Sequence, residues 1–192
     1  MAGPRRNKSI YDLRNLLETG AKLLNRISYM GQSILIANRQ RTKKINSRLL
    51  KQIASALFVE LKIGEAELGI NLVATREMTL INETFLQHEG STDVITFDHH
   101  DSASRITHHA SGIHGELFVC VDDAVAQAKE FNTSWQSELV RYIVHGVLHL
   151  LGHDDLKPDL RRKMKREENR LVRRLENRFK LAQLSQTAKI SA

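Results

Sequence analysis

The sequence predicts a single α+β domain flanked by basic extensions. Its 192 residues suffice for about one domain with a sizeable core. Stretches with strand-like alternation are interspersed with segments whose apolar residues recur at helical spacing. Charge also separates along the chain: residues 1–48 hold 11 Lys and Arg against 2 Asp and Glu, residues 49–155 hold 6 against 16, and residues 156–192 hold 12 against 4. Basic ends suit a polyanion, most commonly nucleic acid, and the acidic middle suits a cation.

Four segments are predicted as β-strands, at 33–38, 67–74, 92–98 and 116–122. In the second, Leu68, Ile70 and Leu72 alternate with other residues, which places them on one face. The polar stretch 99–114 is predicted to be a loop or hairpin connection. Its two histidine pairs, His99-His100 and His108-His109, are expected to be solvated.

Five helices are predicted, over 47–62, from a cap at Thr75, from Asp122 or Asp123 to Phe131, from Thr133 to about 151, and over 158–182. The fourth is the best defined. Thr133 and Gln136 have the form of a capping box, and Leu139, Ile143 and Val147 belong to an apolar stripe. Gly152 then suits the left-handed residue that ends a helix.

This fourth helix carries a candidate metal site. His145 and His149 are four residues apart, so their rings lie on one helical face about 40° apart, the separation at which one Zn²⁺ can bind both. Gly152 allows the chain to reverse, and three possible donors follow it, at His153, Asp154 and Asp155. Three protein ligands leave a fourth position open for water, which is typical of a catalytic site.

The residue after the first histidine bears on the chemistry. In the zinc-protease pattern H-E-x-x-H a glutamate general base stands there, whereas this chain has Gly146. A peptidase is therefore the least favoured interpretation. Basic ends beside a site that activates water favour a polyanionic substrate and phosphodiester cleavage.

The stretch 145–155, HGVLHLLGHDD, resembles the H-G-x-L-H-L-x-G-Y-D-H signature of the YbeY family, zinc-dependent endoribonucleases that mature bacterial rRNA. Ile81-Asn82, Phe85 and the stretch 92–97 (TDVITF) resemble the family's LNxxYR…TDVLSF block. The residues Gly115-Glu116-Leu117 resemble its G-D-I. The resemblance covers about residues 33–180.

The resemblance implies a compact fold with a small mixed sheet packed with helices and one zinc ion per chain at the end of a central helix. It implies single-strand-specific cleavage in rRNA processing, notably at the small-subunit 3′ end, and a role in ribosome quality control. Precursor rRNA and small-subunit proteins are then the expected partners. A non-catalytic assembly factor with a structural zinc is the alternative. The implied domain spans residues 31–182, with a basic extension at 1–30 and a tail at 183–192.

Two departures from the family pattern matter. The third family histidine falls on Asp155, so register gives His145, His149 and Asp155 as the metal ligands, with His153 as the rival third ligand. A carboxylate in that place lowers the charge of the site and should make the bound water less acidic. The family's Arg in the LNxxYR block is replaced by Leu86, so another group must meet phosphate, for example His88 or the basic ends.

The other polar positions have competing interpretations. Asn82 either fixes a loop over the site or bonds backbone at a helix end, and Asp93, which follows Thr92, either orders a ligand histidine or caps its own loop. Glu116 is expected to face water. Cys120, the only cysteine, is expected to be buried and inert, and it excludes an intrachain disulfide. With no apolar run long enough to cross a membrane, we expect a cytoplasmic protein.

Overall fold

The computed structural model describes residues 31–100 and 112–186. The predicted His108-His109 pair lies outside these residues, as does the basic segment 1–30. Four strands are present in this part of the chain: β1 (Gln32–Asn38), β2 (Glu65–Val73), β3 (Val94–Asp98) and β4 (Gly112–Cys120). The helices are α1 (Ser47–Glu60), α2 (Thr75–Ile81), α3 (Val121–Glu130), α4 (Trp135–Leu150) and α5 (Pro158–Arg178).

The strands form one mixed sheet in the order β1-β2-β4-β3. β1, β2 and β4 are parallel, whereas β3 runs antiparallel to β4 with Ile95 opposite Phe118. The α+β fold with a small mixed sheet is therefore confirmed. A parallel pair needs a crossover connection, and α1 supplies one between β1 and β2.

The main core lies where α1, α4 and α5 pack on the sheet. Alternation along β4 puts Leu117 and Val119 in this core, and both are fully buried. Residues of α1 and α5 such as Phe58 and Leu175 complete it. A smaller cluster around Met78 and Ile95 takes in the half-buried Phe118, which points to the opposite face of β4.

Helix α4 approaches the sheet closely because two glycines remove side chains from the contact. A Cβ on Gly115 of β4 would lie 2.5 Å from the Phe97 carbonyl oxygen and 3.0 Å from a methyl of Leu150. A Cβ on Gly146 of α4 would lie 2.8 Å from a methyl of Leu117. The end of α4 is therefore fixed against β3 and β4, and that end carries the candidate site.

The two predicted N-terminal helix caps, at Thr75 and Thr133, are wrong. Thr75 is already inside α2, and its backbone N–H and hydroxyl donate to the Asp122 carboxylate, 47 positions away. The cap of α4 is Ser134, whose hydroxyl accepts from the backbone N–H of Ser137. Gln136 instead is buried and donates to Ser185, 49 positions away.

Several predicted boundaries also shift. The strands predicted at 67–74 and 92–98 lie at Glu65–Val73 and Val94–Asp98, and the strand predicted to end at 122 ends at Cys120, where α3 begins. The strand expected from residue 116 begins at Gly112, because the segment 112–115 pairs with β2 from Glu65 onward. Helix α5 ends at Arg178 rather than near 182, and a short 3₁₀ turn at Leu181–Leu184 follows it. That turn buries Leu184 in the main core. Within the described residues, every helix is too short or too polar to cross a bilayer.

Candidate metal centre

The end of α4 positions the candidate site. Gly152 has φ +84°, the left-handed conformation predicted for it. Its N–H donates to the His149 carbonyl at 2.8 Å, and the N–H of His153 donates to the Leu148 carbonyl at 3.0 Å. This pair of bonds is the Schellman motif, which satisfies the last helical carbonyls and turns the chain back over the helix. The residues after Gly152 are thereby brought beside the two histidines.

Three side chains converge at this turn. The Nε2 atoms of His145 and His149 are 3.0 Å apart, and each lies 4.0 Å from a carboxylate oxygen of Asp155. One ligand atom from each residue can be chosen so that all lie within 4.8 Å of one another. Two nitrogens on one tetrahedral zinc ion are about 3.3 Å apart, so this spacing fits a shared ion. The group is half-buried, with 23%, 28% and 36% of its side chains exposed.

The hydrogen bonds behind the two rings determine which nitrogen carries the proton. His145 Nδ1 faces the carboxylate of Glu168 at 3.0 Å, and His149 Nδ1 faces the backbone carbonyl of His153 at 3.0 Å. Both partners are acceptors, so both Nδ1 atoms must donate. With Nδ1 donating in each ring, the two Nε2 atoms face each other and are the atoms available to a shared cation.

Glu168 of α5 is the carboxylate that orients His145. It is only 3% exposed. Burial opposes its ionisation, but hydrogen bonds from His145, Lys165 and Arg141 outweigh burial and lower its pKa to about 2. An ionised carboxylate on the far nitrogen fixes the ring and makes the near nitrogen a better ligand.

The environment of His149 favours its neutral form. Its pKa is lowered, first because burial disfavours the charged ring and second because His145 lies beside it. The rings meet edge to face, with centroids 4.6 Å apart. A neutral imidazole at neutral pH is the form that binds a metal.

His153, the other candidate for the third ligand, has a different role in the structure. His153 contributes its backbone carbonyl to His149, and its exposed ring is not a member of the three-residue group. Asp154 accepts from the backbone N–H of Leu156 at 2.9 Å. The backbone of Asp155 is held by Arg161, whose Nε donates to the Asp155 carbonyl at 2.9 Å. This geometry favours Asp155 over His153, as the register argument expects.

Gly146 shows why the zinc-protease arrangement does not apply. The position lies against the sheet, where a Cβ would be 2.8 Å from Leu117 and 3.2 Å from Val94. A glutamate side chain has no space there. A peptidase of the H-E-x-x-H type is therefore incompatible with how α4 packs.

The loop before β3 is stabilised by its own polar residues. The amide of Asn82, a buried residue, donates to the Gly90 carbonyl at 2.9 Å, which is the backbone-bonding alternative. Asp93 accepts from the Val94 N–H and the Thr92 hydroxyl, so it caps its own loop. Glu168, not Asp93, makes the hydrogen bond to a candidate ligand histidine.

The structure also describes four other residues with expectations from the sequence, which are Glu116, Cys120, His100 and Leu86. Glu116 is half-buried and its side chain lies over Gly69 on β2 rather than standing free in water. Cys120 is buried as expected, and burial raises the pKa of its thiol. His100 is not free in solvent, because its ring contacts the Asp98 carboxylate at 2.8 Å. The side chain of Leu86, which replaces the Arg of the family pattern, is 45% exposed.

A cavity of about 430 Å³ opens beside the candidate ligands. Its lining includes His145 and Asp155 together with three cations that sequence reasoning missed as site residues: Arg141, Arg161 and Lys165. His88 is not part of this lining. Glu168 was also missed, although its position on α5 carried a signal. It stands four residues after Met164 and three before Leu171, on the apolar face of the helix, where a carboxylate needs partners.

The central helix of this α+β domain ends in two imidazoles and a carboxylate that are arranged for one ion. This arrangement is typical of metal-dependent hydrolases. The family model described as Endoribonuclease YbeY matches residues 34–176. That match covers most of the chain and includes all three candidate ligands. The chain belongs to the endoribonuclease YbeY family, as the sequence motifs indicate.

Individual relatives agree with this assignment. The chain is 33% identical over 149 residues to the endoribonuclease YbeY of Syntrophotalea carbinolica, covering 76% of this chain and 97% of that protein. It is 36% identical over 143 residues to that of Chlorobium phaeovibrioides, covering 73% and 89%. A match to the Myxococcus xanthus protein of the same name, 36% over 128 residues, spans only 42% of that relative and 66% of this chain.

A solved structure shows the same fold. The solution structure of TM1509 from Thermotoga maritima aligns with a TM-score of 0.57 over 83% of this chain and 99% of that chain. The sequences are 24% identical, so this likeness concerns the fold alone.

Proposed function

We propose that this chain is a zinc-dependent, single-strand-specific endoribonuclease. Its substrate is precursor rRNA, notably at the small-subunit 3′ end, and it acts in the cytoplasm beside small-subunit proteins and in ribosome quality control. The observation that supports this most directly is the pair of histidine Nε2 atoms, 3.0 Å apart, with the Asp155 carboxylate beside them. The family name supports RNA as the substrate class.

His145, His149 and Asp155 would hold the ion, and the donor set fits zinc, which accepts imidazole nitrogen and carboxylate oxygen. When bound, zinc supplies Lewis acidity toward a phosphoryl oxygen and lowers the pKa of a coordinated water. Among the described residues the group has three members, and none of those residues fills a fourth position. That favours catalysis over a purely structural zinc.

The chain's own groups do the positioning. Glu168 holds the proton on His145 Nδ1, and the His153 carbonyl holds the proton on His149 Nδ1. The Gly152 turn places Asp155 beside both rings. These groups therefore define the ligand geometry before any ion arrives, which reduces the reorganisation needed for binding.

The distribution of charge is suited to RNA. We propose that residues 31–182 form the endoribonuclease domain, with Leu184 of the following tail packed in its core, and that the basic extension 1–30 and the Arg-rich helix α5 contact RNA or the ribosome. Phosphate contacts release counterions, so affinity for RNA should fall steeply with salt. Single strands suit the site because their backbone can adopt the in-line geometry that a duplex restrains.

A cleavage assay tests the proposal. End-labelled single-stranded RNA and its duplex are incubated with zinc-loaded wild type, His149→Ala and His153→Ala. We expect wild type and His153→Ala to cut the single strand and His149→Ala to lose at least about 100-fold in rate, since a ligand is removed. His153→Ala is the matched control because its ring lies outside the donor group and its carbonyl remains.

Other outcomes contradict the proposal in distinct ways. RNA binding without cleavage, with one zinc per chain, would support the assembly-factor alternative. Equal cleavage by wild type and His149→Ala would assign the activity to a contaminant. Loss of cleavage in His153→Ala with zinc content reduced would move the third ligand to His153.

A further inference from the structure

The cavity beside the donor group has an unequal distribution of charge. His145 and Asp155 lie on its wall, and Arg141, Arg161 and Lys165 line it as well. A neighbouring cavity of about 420 Å³ shares Asp93 and Gln127 with it but is otherwise lined by residues such as Asp123, without a cation among the described residues. The carboxylates of Asp93, Asp155 and Glu168 also line the first cavity, so a phosphate meets positive charge there only where a cation keeps N–H groups free. The second cavity offers no cationic donor among the described residues.

The three cationic side chains differ in how many of their N–H donors are already bonded within the protein. Arg141 is mostly buried, and its guanidinium bonds Glu168 and Asn169, so it serves the network behind His145. Lys165 bonds Glu168 at 2.8 Å, yet 57% of its side chain is exposed. Lysine has three donors, which leaves two for a ligand in the cavity.

Arg161 keeps the largest number of N–H donors for a ligand. Its Nε donates to the Asp155 carbonyl, which places the guanidinium directly behind a candidate metal ligand. A guanidinium has five N–H donors, so four remain. Within residues 31–100 and 112–186, Arg161 forms no ion pair with a carboxylate, whereas its neighbour Arg162 pairs with Asp159. Planar forks of this kind bind phosphate oxygens in pairs.

We propose that Arg161 and Lys165 form a phosphate-binding subsite that holds the RNA backbone against the metal centre. The inference rests on the proposed endoribonuclease function and names the side chains that meet the substrate's charge. Both come from the first two turns of α5, one turn apart, so they face the same cavity. Both side chains orient the phosphodiester, and neither transfers a proton.

The test measures binding rather than cleavage. Zinc-loaded protein is titrated into fluorescein-labelled single-stranded 2′-O-methyl RNA at several salt concentrations, and the probe is checked for integrity afterwards. We expect Arg161→Ala and Lys165→Ala each to weaken binding about fivefold at 0.1 M salt. Each should also reduce the slope of log Kd against log salt by about 0.7, the value for one phosphate contact on a single strand.

Two further variants keep the test decisive. Arg162→Ala removes the same charge from the adjacent residue, which is 71% exposed and does not line the cavity. It should leave the slope nearly unchanged. Arg161→Lys keeps the charge but loses the Nε bond to Asp155, so it should retain most of the slope. Zinc content and melting temperature are measured for every variant.

The proposal is overturned if Arg161→Ala and Arg162→Ala weaken binding equally, because the effect would then be general charge. It is also overturned if Arg161→Lys behaves like Arg161→Ala and both lose zinc, because Arg161 would then act through Asp155. These results are independent of the cleavage assay with unmodified RNA. A wild type that binds with the expected slope but does not cut would contradict the enzymatic proposal alone.

Discussion

Replacing Glu168 by glutamine measures how strongly the network behind His145 stabilises the protein. Glu168 is 3% exposed, and its pKa is about 2 against an ordinary value of 4.5. Each tenfold change in an ionisation constant is worth about 1.4 kcal/mol, so the ionised carboxylate contributes about 3 kcal/mol at pH 7. Glutamine keeps the shape but removes the negative charge that Glu168 places beside Arg141 and Lys165. We therefore expect Glu168→Gln to lower the free energy of unfolding by about 3 kcal/mol.

The lowered pKa of Glu168 also predicts that its contribution to the free energy of unfolding depends on pH. The folded pKa lies below the unfolded one, so the contribution is fully present above pH 4.5 and is lost as pH falls through about 2. At pH 3 the difference between wild type and Glu168→Gln should have shrunk to less than about half of its value at pH 7. Urea unfolding in the presence of a chelator, at pH 7, 4 and 3, measures the difference without any contribution from bound metal.

The adjacent glutamate supplies the control. Glu167 is 30% exposed and pairs with Arg170 on the same helix, so Glu167→Gln should cost less than about 1 kcal/mol. The reasoning is refuted if Glu168→Gln costs no more than Glu167→Gln at pH 7. A difference that stays the same between pH 7 and pH 3 would also refute it, because the carboxylate's charge would then not be the cause.

Three further results are expected from the packing. Gly146→Ala should lower the free energy of unfolding by about 1–3 kcal/mol, because its methyl would overlap Leu117, whereas Gly64→Ala meets nothing within 4 Å and should be milder. Gly152→Ala should cost about 1 kcal/mol from its φ of +84°, with Gly152→Asn recovering part of the loss; equal stability of all three residues in thermal melts would contradict this. Cys120 should react with a thiol reagent slowly in native protein and completely in urea, since burial raises the pKa of its thiol, and rapid native labelling would be the contrary result.

The sequence was most informative where structure is local. The spacing of His145 and His149, the glycine at position 152 and the donors after it all lie within eleven residues of one helix end. Helical geometry and the left-handed turn therefore predict most of the candidate site. Asp155 was reached through the family register, because local geometry alone left three donors open.

The remainder depends on contacts between distant parts of the chain. Glu168 comes to His145 only because α5 packs on α4, and sequence periodicity does not give that pairing. Asp122 caps the start of α2 across 47 positions. The miss at Thr133 is different in kind, because Thr133 and Ser134 are both good caps. Ser134 accepts from the Ser137 N–H, whereas the Thr133 hydroxyl donates to the Glu138 carboxylate. Boundaries and buried polar partners were therefore where sequence reasoning failed.

The central claim is that one ion binds between two imidazoles and the Asp155 carboxylate. Zinc-edge X-ray absorption of the purified, zinc-loaded protein counts imidazole rings around the metal directly, through scattering from ring atoms beyond the first ligand shell. We expect two rings at a zinc–nitrogen distance of about 2.0 Å, the remaining ligands being oxygen. Three rings would place His153 on the metal, and fewer than two would contradict the site altogether.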